Sequence, residues 1–233
     1  MLRSTTSIKW RKAAVLAMPV FLLGFAAGCA RFPSNALPVT GKRLIITLTV
    51  AGEIDPNYHY YVAFDTSGTS APGPLPVVAR PWGNGWGTGN ITNYVIYDRS
   101  QPQGYGVYRI VPSTDLLMKE YVGPPVSWVN PPAGANRLEF TIDLVQLATA
   151  AVPADKIDLV NINFVTTDIV PVDPNAPVDK HYDALGPGGN DFITISVKTN
   201  QTYSNSQTAV EGPGDVVLPN LDIIDWSIEV QGN

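Results

Sequence analysis

Apolar and polar residues alternate, with a period of two, in several short segments of this chain. The clearest segment is Arg137–Leu144, RLEFTIDL, in which every second residue is apolar. Phe192–Lys198 and Ile224–Val230 repeat the pattern. Because successive side chains of a β-strand point to opposite faces of a sheet, each segment predicts a strand with one buried and one exposed face. Such strands are typical of antiparallel sheets that pack face to face.

Further short segments are rich in β-branched and aromatic residues, and turns containing glycine and proline separate them. In the segment that begins at Lys156, we expect Leu159 to point inward, with a bulge near Val160. These additional predicted strands are Arg43–Val50, Tyr58–Asp65, Ile91–Asp98, Gly106–Val111, Leu116–Val122, Val126–Val129 and Lys156–Thr166.

The whole pattern indicates one fold class. Directly after Arg137–Leu144 the alternation is lost in Val145–Ala151, whose Ala and Leu residues predict one or two helical turns before Pro153. The remaining segments are short and are regularly interrupted by turns, which is typical of all-β sandwiches and barrels. We therefore expect an all-β domain, a single antiparallel β-sandwich of the jelly-roll or immunoglobulin-like type, with nine or ten strands between Arg43 and Val230.

The order of the segments resembles a known group of domains. YYVAFDTSG, a long loop, YVIYD and RLEFTIDLVQLATAAVPADKIDLVNINFVTTD follow one another between Tyr58 and Asp168. This order is similar to the carbohydrate-binding family 9 and DOMON-like sandwiches, in which a strand ending in a D-L-x-x-L turn leads through a proline-containing loop into another core strand. The resemblance implies a sandwich fold. The Met and His that ligate haem in some DOMON members cannot be placed in this chain, so no cofactor is expected.

The first 29 residues resemble the signal peptide of a bacterial lipoprotein. Basic residues up to Lys12 precede an apolar run, Ala13–Ala27, which at about 1.5 Å per residue is too short to span a hydrocarbon core of about 30 Å. The run ends in AAGC, similar to the lipobox in which the cysteine, here Cys29, is linked to diacylglycerol and becomes the first residue. The alternative is an ordinary signal peptide beside an incidental cysteine, although a lone thiol in a secreted protein has no disulfide partner.

These features divide the chain into a signal peptide (1–28), a lipidated tether (29–42) and a β-sandwich domain (43–233). Loss of the signal peptide removes four basic and no acidic side chains, which leaves 11 basic and 20 acidic residues. Such a negative surface repels phosphate backbones, so nucleic acid is disfavoured as a partner. The predicted location is the bacterial cell envelope, with the lipid in a membrane and the domain outside the cytoplasm.

The usual sequence patterns of enzymes are absent. The two histidines, His59 and His181, do not have the spacing of common zinc sites, and the chain contains no G-x-S-x-G sequence for a nucleophilic serine. The alternate glycines of Gly83–Gly89 differ from the nucleotide-binding G-x-G-x-x-G pattern and precede a strand rather than a helix. A pair of carboxylates that could hydrolyse glycosides is not recognisable without distances. Catalysis is therefore without support in the sequence.

The loop Pro81–Gly89, PWGNGWGTG, contains the candidate ligand-binding residues Trp82 and Trp86. Glycines surround both tryptophans, so the indoles either fold back onto the core or face outward. If they fold back, they cover the sandwich and stabilise it. If one faces outward, it offers a platform on which a sugar ring or a partner side chain can stack, and the glycines allow close approach of the backbone.

A second loop is rich in oxygen-bearing side chains that are suitable as ligands of Ca²⁺. The candidate metal ligands are Asp168, Asp173 and Asp179, with Asn175 and Asp183 close to them in sequence. Their spacing is not that of an EF-hand, and acidic loops are commonly just solvated. No metal is therefore assigned, and calcium is kept as the weaker alternative.

Two functional hypotheses follow. The first is a non-catalytic binding module, anchored by lipid, that contacts a polysaccharide or another envelope protein. The second is a structural or assembly component of the envelope that has no small ligand. An exposed aromatic platform over a groove would favour a glycan, whereas an exposed apolar patch would favour a protein partner.

Overall fold

The computed structural model describes residues 41–69, 72–111, 115–207 and 211–232. The predicted signal peptide, the lipidation site at Cys29 and the tether up to residue 40 lie outside these ranges. Within the ranges, no helix is long and apolar enough to cross a membrane.

Antiparallel strands make up almost all of the regular structure in these residues, which confirms the predicted all-β fold. Helix is limited to α1, Leu144–Leu147, and a 3-10 turn at Ala154–Lys156, close to the position that the loss of alternation predicts. The strands are β1 Arg43–Val50, β2 His59–Asp65, β3 Pro74–Pro76, β4 Gly87–Gly89, β5 Asn93–Tyr97, β6 Tyr105–Ile110, β7 Lys119–Gly123, β8 Ser127–Val129, β9 Arg137–Asp143, β10 Leu159–Thr167, β11 Tyr182–Ala184, β12 Ile193–Ser196, β13 Gln201–Ser204 and β14 Ile223–Gln231.

The first sheet has the strand order β13-β14-β1-β9-β8. Its central strand β1 pairs with β14 from Arg43 to Val50 and with β9 from Arg43 to Thr49. Leu44, Ile46 and Leu48 of β1 face inward and are at most 1% exposed. They lie opposite apolar residues of both neighbouring strands, so the period-two alternation of the sequence becomes one continuous apolar face.

The second sheet has the order β11-β10-β2-β5-β6-β7, and β12 pairs with β10 beside β11. Its strands β2, β5 and β10 differ from those of the first sheet because both of their faces are covered. In β2, Tyr60, Val62 and Phe64 face the core, while Tyr61 and Ala63 on the opposite face are also buried. A sheet that is covered on both faces shows weaker alternation in its sequence, as the aromatic run of this strand does.

The main core lies between the two sheets and draws on most of the strands. Trp226 of β14 is fully buried, and its ring centroid lies 5.9 Å from that of Phe164 in β10. Across the sandwich, Tyr105 of β6 contacts Phe140 of β9 with centroids 5.7 Å apart. Truncation of such buried aromatic side chains costs about 3–5 kcal/mol, so these contacts between the sheets are a major source of stability in a domain for which no disulfide is expected.

The described residues form fourteen strands rather than the predicted nine or ten. The additional strands are β3, β4, β11 and β13, each three or four residues long. They lie in segments whose glycine, proline and polar residues show no periodicity. They are strands because a neighbouring backbone offers hydrogen bonds to them, which the local sequence does not reveal.

Strand β10 corrects two expectations. Leu159 is 52% exposed rather than inward, and Val160 takes the core position instead. The pairing of β10 with β2 and β12 is continuous, so the bulge expected near Val160 is not present. The expectation was wrong because Asn161 and Asn163 are polar but buried: the amide of Asn161 donates to Asp65 and that of Asn163 to the carbonyl of Pro74. Buried, hydrogen-bonded amides resemble an exposed face in a sequence.

Candidate functional site

A line of five stacked aromatic rings crosses the outer face of the second sheet, and we call it the aromatic row. Trp86 and Tyr61 are parallel, with centroids 4.0 Å apart and an interplanar angle of 2°. Tyr94 lies 5.0 Å from Trp86, Tyr108 lies 5.1 Å from Tyr94, and Tyr121 lies 5.3 Å from Tyr108. Such offset and tilted contacts are favourable beyond the apolar area that they bury.

Strand register places most of the aromatic row. Tyr94 of β5 is directly opposite Tyr108 of β6, and Tyr108 is opposite Tyr121 of β7. Residues directly opposite in antiparallel strands are close enough for ring contact. Only Trp86 comes from a loop, and it covers Tyr61 from above. The row therefore depends on the register of three consecutive strands and on the pairing of β5 with the earlier strand β2.

Both tryptophans of the Pro81–Gly89 loop fold back onto the domain. Trp86 is 4% exposed and Trp82 is 6% exposed. The Nε1 atom of Trp82 donates to the carbonyl of Ala176 at 2.9 Å, and the Lys180 amine lies 5.6 Å from the Trp82 ring centroid. Of the two arrangements considered for this loop, the inward one is observed. Neither indole presents the free face that stacking of a sugar ring requires.

A groove of about 230 Å³ adjoins the aromatic row. Trp86 and Tyr94 form buried parts of its wall, whereas Leu117 is 66% exposed and Val172 is 96% exposed. The Lys119 amine lies 5.1 Å from the ring centroid of Tyr108. We call this feature the aliphatic-rimmed groove, because its exposed edges are aliphatic while its aromatic residues are covered. An exposed edge of this kind is suited to contact with apolar side chains of a partner.

A separate group of acidic side chains, the acidic cluster, comprises Asp183, Glu211, Asp215 and Asp222. One carboxylate oxygen from each of Asp183, Asp215 and Asp222 lies within 4.8 Å of the others. Asp183, Glu211 and Asp222 are 3–5% exposed, whereas Asp215 is exposed. A cavity of about 340 Å³, lined by Asp183 and Asp215, connects the cluster to the surface.

Backbone hydrogen bonds hold the acidic cluster together. Asp183 of β11 accepts from the amide of Ile223 at 2.6 Å, which ties this strand to the start of β14. Asp222 accepts from the amide of Gly214 at 2.8 Å, and Glu211 accepts from the amide of Gly186. Two separate segments, 185–191 and 211–222, therefore meet at these carboxylates.

Burial and nearby negative charges raise the pKa of three carboxyl groups in the acidic cluster above their usual range. Burial is the main cause that raises the pKa of Asp183 to about 7, and the charges of Asp215 and Glu211 add to it. Burial likewise raises the pKa of Glu211 to about 7, with contributions from Asp215, Asp191 and Asp222. The pKa of Asp215 is raised by burial and by contact with Asp222. Burial, with the added repulsion between the carboxylates, therefore outweighs the stabilisation by their backbone donors.

The calcium ligands considered from the sequence are not gathered at one point. Asp168 accepts hydrogen bonds from the ring and the backbone amide of His181, Asp173 accepts from the amide of Asn175, and Asp179 is exposed. Only Asp183 from that region joins a group with metal-binding geometry among the described residues. The loop therefore directs these side chains to different surroundings: a histidine further along the chain, a local turn and solvent.

Two pairs of histidine and aspartate raise the question of catalysis. In one, His59 Nδ1 lies 3.0 Å from Asp98 Oδ2, and Ser100 donates to the other oxygen of Asp98 at 2.5 Å. Nucleophilic catalysis requires the serine to contact the histidine, whereas here both contact the aspartate. In the other, contact with Asp168 raises the pKa of His181, and no serine or cysteine contact with its ring is seen within the described residues.

No protein-family model, curated protein or solved structure matches this chain. The resemblance to carbohydrate-binding family 9 and DOMON-like domains therefore stays a prediction. Function has to be argued from the geometry of the sites, since a sandwich fold alone hosts many functions.

Sequence reasoning missed Glu211, Asp215 and Asp222 as site residues. A signal was present, because no Lys or Arg follows Lys198, so the last 35 residues are acidic without compensation. That signal does not identify Asp183 as part of the cluster. The pairing of β10 with β11 and the hydrogen bond from Ile223 bring Asp183 there. The aliphatic rim at Leu117 and Val172 was missed for the same reason, since two separate turns form it.

Proposed function

We propose that this chain is a lipid-anchored binding module of the bacterial cell envelope that holds an apolar segment of another envelope protein in its aliphatic-rimmed groove. The anchor is supported by the basic and apolar sequence that ends at Cys29. The binding role is supported by one structural observation: Leu117 and Val172 are exposed at the edges of a groove whose inner wall is aromatic. Exposed apolar side chains around a concavity are typical of protein interaction sites.

The covered state of the aromatic rings favours a protein over a polysaccharide. Sugar rings stack on exposed aromatic faces. The faces of Trp86 and Tyr94 instead contact neighbouring rings, and these residues are 4% and 2% exposed. The accessible lining of the groove includes the aliphatic side chains of Leu117 and Val172, with the exposed Lys119 beside them. An aliphatic rim is better matched to Leu, Ile, Val or Met side chains of a partner than to the hydroxyl groups of a glycan.

A polysaccharide remains the second candidate because of one residue. Tyr121, at the end of the aromatic row, is 49% exposed, and Lys119 on the same strand lies over the neighbouring Tyr108. A half-exposed ring beside a donor is an arrangement on which a sugar can stack. A purely structural role in the envelope, without a ligand in the groove, is the alternative in which neither surface is used.

The inference that this module is not an enzyme rests on the contacts of its polar groups. Asn84 accepts from the amides of Trp86 and Gly87 through its side-chain oxygen, so it shapes the loop rather than reacting. In neither histidine and aspartate pair does a serine or cysteine contact the histidine ring within the described residues, since Ser100 contacts Asp98 instead. We therefore infer binding without chemical conversion of the ligand.

The binding role is tested with a photoreactive amino acid placed at position 117 in cells that express the full chain. The matched control places it at position 159, because Leu159 is also an exposed leucine, at 52%, but does not line the groove. We expect a discrete protein adduct at 117, absent at 159 and abolished by Val172→Glu. An adduct of the same mass and yield at both positions, or no adduct at 117, contradicts the protein-binding role. Glycan retention on an affinity gel that is lost in Tyr121→Ala would favour the second candidate instead.

The anchor is tested separately with Cys29→Ser. We expect the wild-type chain in the membrane fraction with a mass increased by lipid, and the variant unmodified and released from the membrane. A variant that stays in the membrane fraction with unchanged mass shows that the anchor assignment is wrong.

A further inference from the structure

Two buried carboxylate oxygens in the acidic cluster lack a hydrogen-bond partner among the described residues. They are Oε2 of Glu211 and Oδ1 of Asp222, in residues that are 5% and 3% exposed. Burial of an unpaired charged oxygen is costly, and buried polar atoms in native proteins are nearly always paired. A partner supplied from solution would remove this cost.

Among the residues that the structure describes, the cluster also has no positively charged partner. Within the described part of the chain, no Lys, Arg or His forms an ion pair with Asp183, Glu211, Asp215 or Asp222. Lys180 lines the adjoining cavity, but its amine donates to the carbonyl of Val77 at 2.8 Å and lies over the rings of Trp82 and Tyr182. Four acidic side chains thus converge without a counter-ion.

The spacing of the oxygens suits a calcium ion. Ca²⁺ binds oxygen ligands at about 2.3–2.6 Å, so two ligands on opposite sides of the ion lie up to about 5 Å apart. The oxygens of Asp183, Asp215 and Asp222 lie within 4.8 Å of one another, and the cavity beside them leaves room for water ligands and for entry. The donor set contains neither sulfur nor imidazole, which disfavours zinc and copper.

We propose that Asp183, Asp215 and Asp222 form a Ca²⁺ site, with Glu211 supplying further negative charge or a fourth ligand. The ion would clamp the segment 211–222 onto β11 and onto the turn at 185–191, where the hydrogen bond from Gly186 to Glu211 already joins the two segments. The calcium concentration outside the cytoplasm, rather than contacts in the groove, would then determine how well ordered this end of the domain is.

The test is calcium titration of the full chain in non-ionic detergent, stripped with EDTA and held at pH 7.5, by calorimetry and by thermal unfolding. The key variant is Asp215→Asn, because Asp215 is exposed and its replacement leaves the buried hydrogen bonds intact. The matched control is Asp179→Asn, which makes the same change of charge at an exposed acidic residue outside the cluster. Asp222→Asn is the second variant, since an amide can still accept from Gly214.

We expect one Ca²⁺ ion per wild-type chain, with a dissociation constant on the order of 0.1–1 mM as in other extracellular modules, and a higher thermal midpoint with calcium. Asp215→Asn and Asp222→Asn should weaken binding about tenfold or more, and Asp179→Asn less than twofold. Absence of binding by the wild type at 10 mM CaCl₂ overturns the proposal. Equal losses in Asp215→Asn and Asp179→Asn, or an equal response to MgCl₂, overturn it as well.

Discussion

The aromatic row and the acidic cluster both bury side chains outside the main core, but they satisfy them differently. In the row, each ring is covered by its neighbour, and the adjacent Asp98 is held by His59 and Ser100. In the cluster, Glu211 and Asp222 each retain an oxygen without a partner. The row is held by ring contacts within the protein, whereas the described residues leave two carboxylate oxygens of the cluster without a partner. The two regions therefore differ in the pairing of their buried groups rather than in burial itself.

The same contrast is visible in the pKa values of single carboxyl groups. Burial by itself would raise the pKa of Asp98, but hydrogen bonds from His59 and Ser100 and the charge of His59 lower it to about 2. Burial raises the pKa of Glu211 to about 7, because its one backbone donor does not offset burial and the added charges of three nearby carboxylates. The two acids are almost equally buried, at 3% and 5% exposure, so their partners and not their depth make the difference.

The largest effect is expected in the aromatic row. Trp86→Ala removes the ring that covers Tyr61 and Tyr94, and we expect it to lower the free energy of unfolding by about 3–5 kcal/mol. Urea denaturation of the full chain in detergent measures the change. Trp128→Ala is the control, since Trp128 is only partly buried at the edge strand β8 and should cost less. Equal losses in the free energy of unfolding for the two variants would show that the aromatic row does not contribute more stability than the edge strand.

The next largest effect is expected at Asp98, whose carboxylate is paired with His59 and Ser100. Asp98→Asn should lower the free energy of unfolding by about 2 kcal/mol at pH 7, from the shift of the pKa from 3.8 to about 2. Since the folded pKa is the lower one, this contribution is complete above about pH 4 and is lost as the pH falls through about 2. The surface variant Asp225→Asn should show neither change. A wild-type stability that is flat between pH 4 and pH 2 would contradict the pairing.

Glu211→Gln is expected to act in the opposite direction. The folded pKa of Glu211 is raised from 4.5 to about 7, so wild-type stability from this group is complete below about pH 4.5 and declines as the pH rises to about 7. In EDTA at pH 8 the variant should therefore be more stable than the wild type by about 1–2 kcal/mol, and at pH 4 no more stable. Chemical denaturation at both pH values measures this. A variant that is less stable at pH 8 would show that the unpaired oxygen costs nothing.

The smallest effect is expected at the exposed end of the aromatic row. Tyr121→Ala should cost less than about 1 kcal/mol, because the side chain is 49% exposed and loses one tilted contact with Tyr108. Tyr94→Ala, in the buried middle of the row, should cost several times more. Thermal unfolding of the two variants side by side decides the order. Similar losses would mean that the row acts as one unit up to its edge.

Much of the fold could be predicted from the sequence, and the misses have a common cause. Alternation in Arg137–Leu144 and in Ile224–Val230 identified strands of the first sheet, because one face of that sheet is open to solvent. In the second sheet the alternation of β10 was misleading, because Asn161 and Asn163 are buried and hydrogen-bonded rather than exposed. Buried polar residues alternate with apolar ones in the same way as exposed polar residues, so the sequence pattern does not distinguish the two.

The candidate sites were less predictable than the fold. Trp82 and Trp86 could be singled out from their loop, but their orientation depended on whether an apolar surface was available to receive them. Tyr61 and Tyr94 provide that surface on the outer face of a different segment. For the acidic residues, proximity in sequence was a poor guide, since Asp168, Asp173 and Asp179 each cap or solvate a local turn.

By itself the sequence determined the all-β sandwich, because alternation at period two acts through each strand's own two faces and needs no knowledge of its neighbours. Only the tertiary structure decided that the indoles are covered and that Asp183 joins Asp215 and Asp222. The physical reason is that these contacts join segments far apart in the chain: the bond between Asp183 and Ile223 spans 40 residues. Such contacts depend on which strands become neighbours, and strand order is set by the packing of the whole domain rather than by any local pattern.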